Sequence, residues 1–271
     1  MADGVDAVVQ AVQQSRKYRH VYTDIIRLIA HQERQKRSSL KEVTKATKNK
    51  LHQISGAYFK QKPAYDRWLA SLQAINFDAG GSDTDALKKA CRSLLAKHAS
   101  TKERLPVLDR FYAETLSDLP PISSVLDLAC GLNPLTIPWL PLSTSAQYYA
   151  CDIYTDLADF LGQALPLLQA DGHGFCCNLL TTVPTVTVDL ALLLKTLPVL
   201  EQLERGRSLE LLRGLNTAYL LVSFPAQSLG GQNKGMRQSY ADWFISIIQA
   251  EPWQVQMFNF ETEIAFLIRK N

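Results

Sequence analysis

The chain has 271 residues, of which 46% are hydrophobic and 20% are charged, a composition typical of a globular protein with a substantial core. It shows no basic-then-apolar leader and no apolar run near the roughly 20 residues that span a bilayer, so we expect a cytoplasmic protein without a membrane segment. The five cysteines form no C-x-x-C pair and have no histidine at ligand spacing, so neither a metal site nor a disulfide framework is expected.

Positive charge is concentrated in the first part of the chain. Residues 1–110 contain 21 Lys and Arg against 11 Asp and Glu, a net charge of +10, whereas the remaining residues contain 8 against 15, a net charge of −7. Such asymmetry between the two parts suggests a polyanionic partner for the first one.

The first part is predicted to be all helical. Val5, Val8, Val9 and Val12 recur at the spacing of one helix face, which predicts a helix from Asp3 to Gln14. Further helical patterns begin at Thr23 and after Ser39, and others cover Ala64–Ile75, Asp83–Ala96 and Thr101–Leu116, with a loop at Phe77–Ser82.

One of these predicted helices carries lysines mostly on a single side, next to a cluster of arginine and lysine at residues 34–37. A cationic helix face is often only solvated, but few acids interrupt this one, so we interpret residues 1–112 as a helical, basic domain that binds nucleic acid. Helical nucleic acid is favoured over a single strand because the aromatic residues are not interleaved as a stacking platform. The predicted contacts are Arg16, Lys17, Arg34, Lys36, Arg37, Lys41, Lys45 and Lys48, joined by Lys234 and Arg237 from a later glycine-rich loop.

From Pro120 onward, apolar runs alternate with helical patterns, which predicts a parallel, doubly wound α/β sheet over residues 113–271. Two β-rich runs without a helix between them close the chain, and by analogy a parallel sheet that ends in an antiparallel hairpin indicates a class I (Rossmann-like) methyltransferase domain. The predicted strands are Ser123–Leu128, Ala146–Cys151, Gly174–Leu179, Val188–Leu194, Thr217–Phe224, Trp253–Asn259 and Glu263–Ile268, and the predicted helices are Ala158–Leu168, Leu203–Leu212 and Tyr240–Ile248.

The turn after the first strand points to a nucleoside cofactor. Asp127 ends the buried run, Gly131 lets backbone approach a ligand, and Asp152, after the second strand, is spaced to bind ribose hydroxyls. The single glycine does not make the G-x-G-x-x-G pyrophosphate motif, so S-adenosylmethionine is favoured over NAD or ATP. The alternative is an ordinary α/β turn in which Asp127 caps a helix.

Several stretches, in their order and spacing, resemble the 16S ribosomal RNA guanine-N7 methyltransferases of the Arm, Rmt and Sgm type, which confer high-level aminoglycoside resistance by modifying guanine 1405 of the small subunit. The matching stretches are Ser15–Tyr18, Leu51–Ile54, Gly56–Tyr58, His98–Leu105, Asp127–Pro134, Leu192–Pro198, Ser223–Pro225, Ser228–Gly231 and Lys234–Met236.

The resemblance implies a set of cofactor-binding residues. Arg104 is expected to bind the methionine carboxylate, Asp152 the ribose, and Asn178 the adenine, although some family members have Asp at the position of Asn178. Leu203 replaces a glutamine of some relatives and is given no contact. The full predicted set is Tyr58, His98, Ala99, Ser100, Arg104, Ala129, Gly131, Asp152, Asn178, Leu179 and Leu194.

Lys195 and Glu201 are the predicted catalytic residues. Guanine N7 is unprotonated at neutral pH and needs no general base, so we expect placement of the flipped base to dominate. Lys195 would donate to O6, and Glu201 would stabilise the charge that the methylated ring gains. Structural alternatives are that Glu201 is only a first-turn acid of the next helix and that Arg104 pairs with Glu103 or Asp109.

The expected partner is 16S ribosomal RNA in the assembled 30S subunit, bound by a monomeric enzyme without a metal. Three alternatives remain open at this stage: a methyltransferase for a different ribosomal RNA base, a small-molecule methyltransferase, which the basic region disfavours, and a non-catalytic RNA-binding protein with a relic cofactor pocket.

Overall fold

A computed structural model describes residues 3–55, 58–59, 61–75, 84–226 and 235–270 of the chain. The predicted loop at Phe77–Ser82 and the predicted RNA contact Lys234 lie outside these ranges.

A seven-stranded sheet forms the centre of the molecule, with the strand order β3-β2-β1-β4-β5-β7-β6. The first five strands in the chain are parallel, and β7 lies antiparallel between β5 and β6. The α/β sheet with a closing antiparallel hairpin is therefore confirmed. The strands are β1 Ile122–Leu128, β2 Leu142–Asp152, β3 Asp171–Cys176, β4 Val188–Leu194, β5 Thr217–Pro225, β6 Gln254–Asn259 and β7 Glu263–Arg269.

The helices divide into a group before the sheet and a group between its strands. Before the sheet lie α1 Asp3–Gln13, α2 Thr23–Arg34, α3 Leu40–Ser55, α4 Tyr65–Gln73, α5 Thr84–Leu95, α6 Ala99–Arg104 and α7 Leu108–Thr115. A 3₁₀ helix at Asn133–Trp139 follows β1, and the later helices are α8 Thr155–Leu167, α9 Leu197–Leu203, α10 Arg207–Gly214 and α11 Met236–Ile248. None of the helices in the described ranges is both long enough and apolar enough to cross a membrane.

Several predicted elements have different bounds in the structure. The helix predicted over Thr101–Leu116 is divided into α6 and α7, because Pro106 has no backbone N–H to continue the helical hydrogen bonds and Val107 adopts a non-helical φ of −111°. The helix predicted over Leu203–Leu212 corresponds to α10, which begins only after Gly206, whose φ is 85°, and the preceding α9 was not predicted. The strand predicted over Gly174–Leu179 begins earlier, because Asp171 already pairs with β2.

Three apolar clusters hold these elements together. One lies between one face of the sheet and α4, α5, α7 and α8, and a second lies between the opposite face and α9 to α11. The third joins α1, α2 and α3 and contacts Ile153, Tyr154 and Leu180 from the loops after β2 and β3. The basic helices are thereby placed directly beside the carboxyl ends of the parallel strands.

The predicted boundary between residues 112 and 113 falls inside α7. Since α4, α5 and α7 share an apolar cluster with the sheet, only α1 to α3 form a cluster of their own. The division into domains of residues 1–112 and 113–271 remains a prediction.

Candidate active site

A cavity that opens partly to solvent lies at the carboxyl ends of β1, β2 and β4. Ligands of parallel α/β sheets bind at this edge. Nine of the predicted cofactor residues line the cavity together with the predicted catalytic lysine: Tyr58, His98, Ser100, Arg104, Ala129, Gly131, Asp152, Leu179 and Leu194, with Lys195.

The turn after β1 brings backbone close to a side chain from α6. Ala129 and Gly131 both adopt left-handed backbone conformations, with φ of 49° and 53°. A Cβ added to Gly131 would lie 2.7 Å from His98 Cε1, so a larger residue would collide with the imidazole. Glycine is therefore required at this position by both conformation and space.

Asp152 is held rigidly at the end of β2. Its Oδ2 accepts a hydrogen bond from Gly131 N at 2.8 Å, and its Oδ1 accepts one from Ile153 N at 2.7 Å. Burial raises the pKa of this carboxyl group, and the backbone N–H of Gly131 opposes that rise. The carboxylate forms part of the cavity wall, where it can accept further hydrogen bonds from hydroxyl groups.

Asp127 also lines the cavity, although no contact with the cofactor was predicted for it. Its Oδ2 accepts hydrogen bonds from Asn133 Nδ2 at 2.9 Å and from Tyr148 Oη at 2.7 Å. Its buried Oδ1 has no partner among the described residues. Burial raises the pKa of Asp127 to about 7. The position of Asp127 at the carboxyl end of β1 was the available sequence signal, whereas nothing local indicated Tyr148.

Arg104 is buried in the cavity wall and forms a two-point ion pair with Glu263. Arg104 Nε donates to Glu263 Oε1 at 2.7 Å, and Nη2 donates to Oε2 at 2.8 Å. The alternative pairing of Arg104 with Glu103 or Asp109 is wrong, because Glu103 pairs with Lys195 and Asp109 pairs with Arg92. Glu263 lies 159 positions along the chain, so no local pattern could indicate it.

His98 lies at the beginning of α6, between aromatic rings and the turn after β1. Its ring stacks on Tyr58 with centroids 5.3 Å apart, and Phe59 contacts it edge-on at 4.8 Å. Burial, followed by the charges of Lys195 and Arg104, lowers the pKa of His98 to about 3. The imidazole is therefore neutral at physiological pH, and its buried Nδ1 has no partner among the described residues.

Lys195 follows β4 directly and is 8% exposed, with a left-handed φ of 61°. Its Nζ donates to Glu103 Oε2 at 2.9 Å and to the Ser100 carbonyl oxygen at 3.1 Å. The ammonium group therefore has the partners that a buried charge needs, and both are supplied by α6.

Three predicted site residues do not line the cavity. Ala99 and Asn178 lie beside it: Ala99 N donates to the Tyr58 carbonyl oxygen at 2.8 Å, and Asn178 Oδ1 accepts from Leu180 N at 3.2 Å. Glu201 caps the beginning of α10, accepting from Gly206 N at 2.7 Å and from Ser208 N at 3.3 Å. Glu201 therefore lies outside the cavity wall in this structure, and its catalytic role remains a prediction. The cavity wall also contains apolar residues for which no ligand contact was predicted: Ile25, Ile54, Val199, Leu200 and Leu203.

The predicted RNA-binding residues lie on different parts of the surface. Lys41, Lys45 and Lys48 line a shallow depression along α3. Arg16 and Lys17 line a second hollow, which shares Phe59 and Tyr154 with the cavity.

The cluster at residues 34–37 is partly neutralised by a buried acid. Glu33 pairs with Arg37, with Lys50 at 3.2 Å and with Lys36 at 3.9 Å. Arg34 donates to the Arg37 carbonyl oxygen at 2.7 Å.

Arg237 at the beginning of α11 donates to the Glu261 carbonyl oxygen at 3.0 Å. Within the described ranges, no group of three or more His, Cys, Asp or Glu side chains is arranged to hold a metal ion.

Comparison with known proteins identifies relatives along nearly the whole chain. Residues 14–268 match the family described as "Ribosomal RNA methyltransferase (FmrO)". The 16S rRNA (guanine(1405)-N(7))-methyltransferase of Micromonospora rosea is 35% identical over 99% of this chain and 97% of its own length. The enzyme of the same name from Serratia marcescens is 36% identical over 98% of this chain and 99% of its own length.

Solved structures show the same similarity. The 16S rRNA methyltransferase RmtF, in complex with S-adenosyl-L-homocysteine, has a TM-score of 0.82 and 30% identity, with all of both chains covered. The 16S rRNA methylase RmtB has a TM-score of 0.81 and 32% identity, with 98% of each chain covered. This chain therefore belongs to the FmrO family of ribosomal RNA methyltransferases.

Proposed function

We propose that this chain transfers the methyl group of S-adenosylmethionine to N7 of guanine 1405 of 16S ribosomal RNA, and that this modification confers aminoglycoside resistance. The observation that carries the proposal is the cavity at the carboxyl ends of β1, β2 and β4, where nine predicted cofactor residues and Lys195 meet. Relatives named for this reaction, which match nearly the full chain, support the choice of substrate.

The polar groups of the cavity fit S-adenosylmethionine. Asp152 would accept hydrogen bonds from the ribose, and Leu179 and Leu194 would contact the adenine. Asp127 Oδ1, which is buried and unpartnered among the described residues, would accept the cofactor's ammonium group. Arg104 would bind its carboxylate, since its ion pair and its bond to Asn133 occupy three of its five N–H groups.

The residues around the cavity would act mainly by placement. When bound, the cofactor supplies an electrophilic methyl group, and guanine N7 supplies the lone pair that receives it. Lys195 would leave Glu103 and donate to guanine O6, which selects guanine over adenine because adenine has a donor at that position. The apolar wall excludes water from the reacting atoms.

The basic surface would bind the RNA. Lys41, Lys45 and Lys48 lie together on α3 and would contact phosphates in the assembled 30S subunit. Arg16 and Lys17 would contact RNA beside the cavity, and Lys234 and Arg237 are further proposed contacts. We further propose that residues 1–112 act as the RNA-binding domain of a monomeric, cytoplasmic enzyme.

Transfer of labelled methyl groups tests the proposal. The purified chain and labelled S-adenosylmethionine would be incubated with intact small subunits and, separately, with naked 16S RNA. The proposal predicts labelled RNA from intact subunits and little label on naked RNA. Binding of the cofactor without label in either RNA would overturn the proposal and favour a non-catalytic RNA-binding protein.

A further inference from the structure

Arg104 and Glu263 form an ion pair at the base of the cavity, between the last residue of α6 and the first residue of β7. Their side chains are only 2% and 0% exposed. Two parallel hydrogen bonds of 2.7 and 2.8 Å join the guanidinium to the carboxylate. This two-point geometry fixes the plane of the guanidinium as well as its distance from Glu263.

Two further contacts restrain the same guanidinium. Arg104 Nη1 donates to Asn133 Oδ1 at 2.7 Å, and the guanidinium carbon lies 4.7 Å from the centre of the Phe111 ring. Burial acts to raise the pKa of Glu263, but the charge of Arg104 holds it below its usual value. Glu263 therefore remains ionised, and the guanidinium remains compensated in a site that water does not reach.

We propose that Glu263 is a positioning residue, which holds the Arg104 guanidinium in the orientation that receives the carboxylate of the cofactor's methionine group. Arg104 contributes to the cavity wall, whereas Glu263 does not and acts only through Arg104. The inference rests on the proposed function in one respect, that Arg104 is the carboxylate subsite. It gives the closing hairpin of the sheet a direct part in cofactor binding.

The test compares two ligands that differ in the amino-acid group. S-adenosyl-L-homocysteine carries the carboxylate, whereas 5′-methylthioadenosine has the same adenosine and a thioether but no amino acid. Calorimetry would measure the Kd of each ligand for the wild-type chain and for Glu263→Gln. We expect S-adenosyl-L-homocysteine to bind about tenfold more weakly or worse, the effect of weakening a charge-assisted hydrogen bond, with binding of 5′-methylthioadenosine unchanged.

Two further variants make the outcome decisive. Glu263→Asp keeps the negative charge but withdraws it by one methylene, so it preserves compensation of Arg104 while breaking the two-point geometry, and it should show the same ligand-selective loss. Glu261→Gln removes an exposed acid from the turn of the same hairpin, where Glu261 pairs with Arg110 of α7. This variant should change neither affinity.

Equal losses for both ligands would overturn the inference, because they would indicate general damage to the cavity. Unchanged affinities in both Glu263→Gln and Glu263→Asp would overturn it as well. If Glu263→Gln fails to fold, Glu263→Asp decides the question. Failure of the proposed function is distinguishable, since these measurements contain no RNA: a wild-type chain that binds S-adenosyl-L-homocysteine but methylates nothing leaves the positioning role intact.

Discussion

Asn133 Nδ2 donates a hydrogen bond of 2.9 Å to Asp127 Oδ2, joining the beginning of the 3₁₀ helix to the end of β1. Tyr148 on the neighbouring strand donates to the same oxygen at 2.7 Å. The other oxygen of Asp127 is buried without a partner among the described residues. The protein thus keeps a carboxylate whose stabilising contacts are all on one side and whose second oxygen is left for a ligand.

Asp127→Asn should stabilise the unliganded protein at alkaline pH and weaken cofactor binding. The folded-state pKa of about 7 lies above the ordinary aspartate pKa of 3.8, so the folded state binds the extra proton between these values. The stability of the wild type relative to the variant should therefore fall by roughly 4 kcal/mol as pH rises from about 4 to about 7. Urea unfolding of both proteins across this pH range measures the difference.

Asp189→Asn is a matched control for the binding part of this prediction. Asp189 accepts hydrogen bonds from Ser123 N and Ser124 N, at the opposite end of β1 from the cavity. Its substitution should leave the Kd of S-adenosylmethionine unchanged. Equal affinities of the wild type and Asp127→Asn would show that Asp127 does not bind the cofactor.

His98 should make the protein sensitive to acid. Its folded-state pKa of about 3 lies below the ordinary histidine pKa of 6.5, so the unfolded state takes up a proton that the folded state excludes. This contribution to stability is present above pH 6.5 and is lost progressively as pH falls toward 3. Compared with His98→Gln, the wild type should lose about 2 kcal/mol between pH 6.5 and pH 5. Parallel stability curves would mean that the imidazole accepts a proton in the folded protein.

Lys195→Ala should abolish methyl transfer while leaving the Kd of S-adenosylmethionine unchanged. The loss should be on the order of a hundredfold or more, because the group that recognises guanine O6 is removed. Glu103→Gln separates this role from a structural one, since it removes the charge that holds Lys195 in the unliganded protein. If Glu103→Gln is as inactive as Lys195→Ala, the ion pair rather than contact with the base is what matters. Loss of cofactor binding in Lys195→Ala would also contradict the assignment.

Neutralising Lys45 and Lys48 together should weaken binding to the small subunit and reduce its dependence on salt. Each lost phosphate contact is expected to lower the slope of log K against log salt by about one. The matched control substitutes Lys89 and Arg269, which are exposed and lie elsewhere on the molecule. A salt slope equal to that of the wild type would place α3 outside the RNA interface.

The sheet and most of the cavity were predictable from sequence because their signals are local. β4 was predicted with the bounds that it has, since an apolar run interrupted only by Asp189 and followed by the polar Lys195 specifies a buried strand. Gly131 and Asp152 were placed in the cavity by their positions after strands, which the parallel topology brings to one edge.

What the sequence did not reveal depends on contacts between distant segments. Glu263 precedes an apolar strand run and shows no pattern that relates it to Arg104, 159 positions earlier. Glu201 is adjacent in sequence to cavity residues, yet its carboxylate turns toward the N–H groups of α10 because the chain reverses at Gly206. Such positions are decided by packing and side-chain direction rather than by periodicity.

The most direct test of the account maps the methylated atom. Small subunits treated with the purified chain and S-adenosylmethionine would be cleaved with borohydride and aniline, which act at N7-methylguanine, and the break would be located by reverse transcription. The account predicts a single new break at guanine 1405, absent with Lys195→Ala. A break at a different guanine, or label incorporated into RNA that does not cleave, would contradict it.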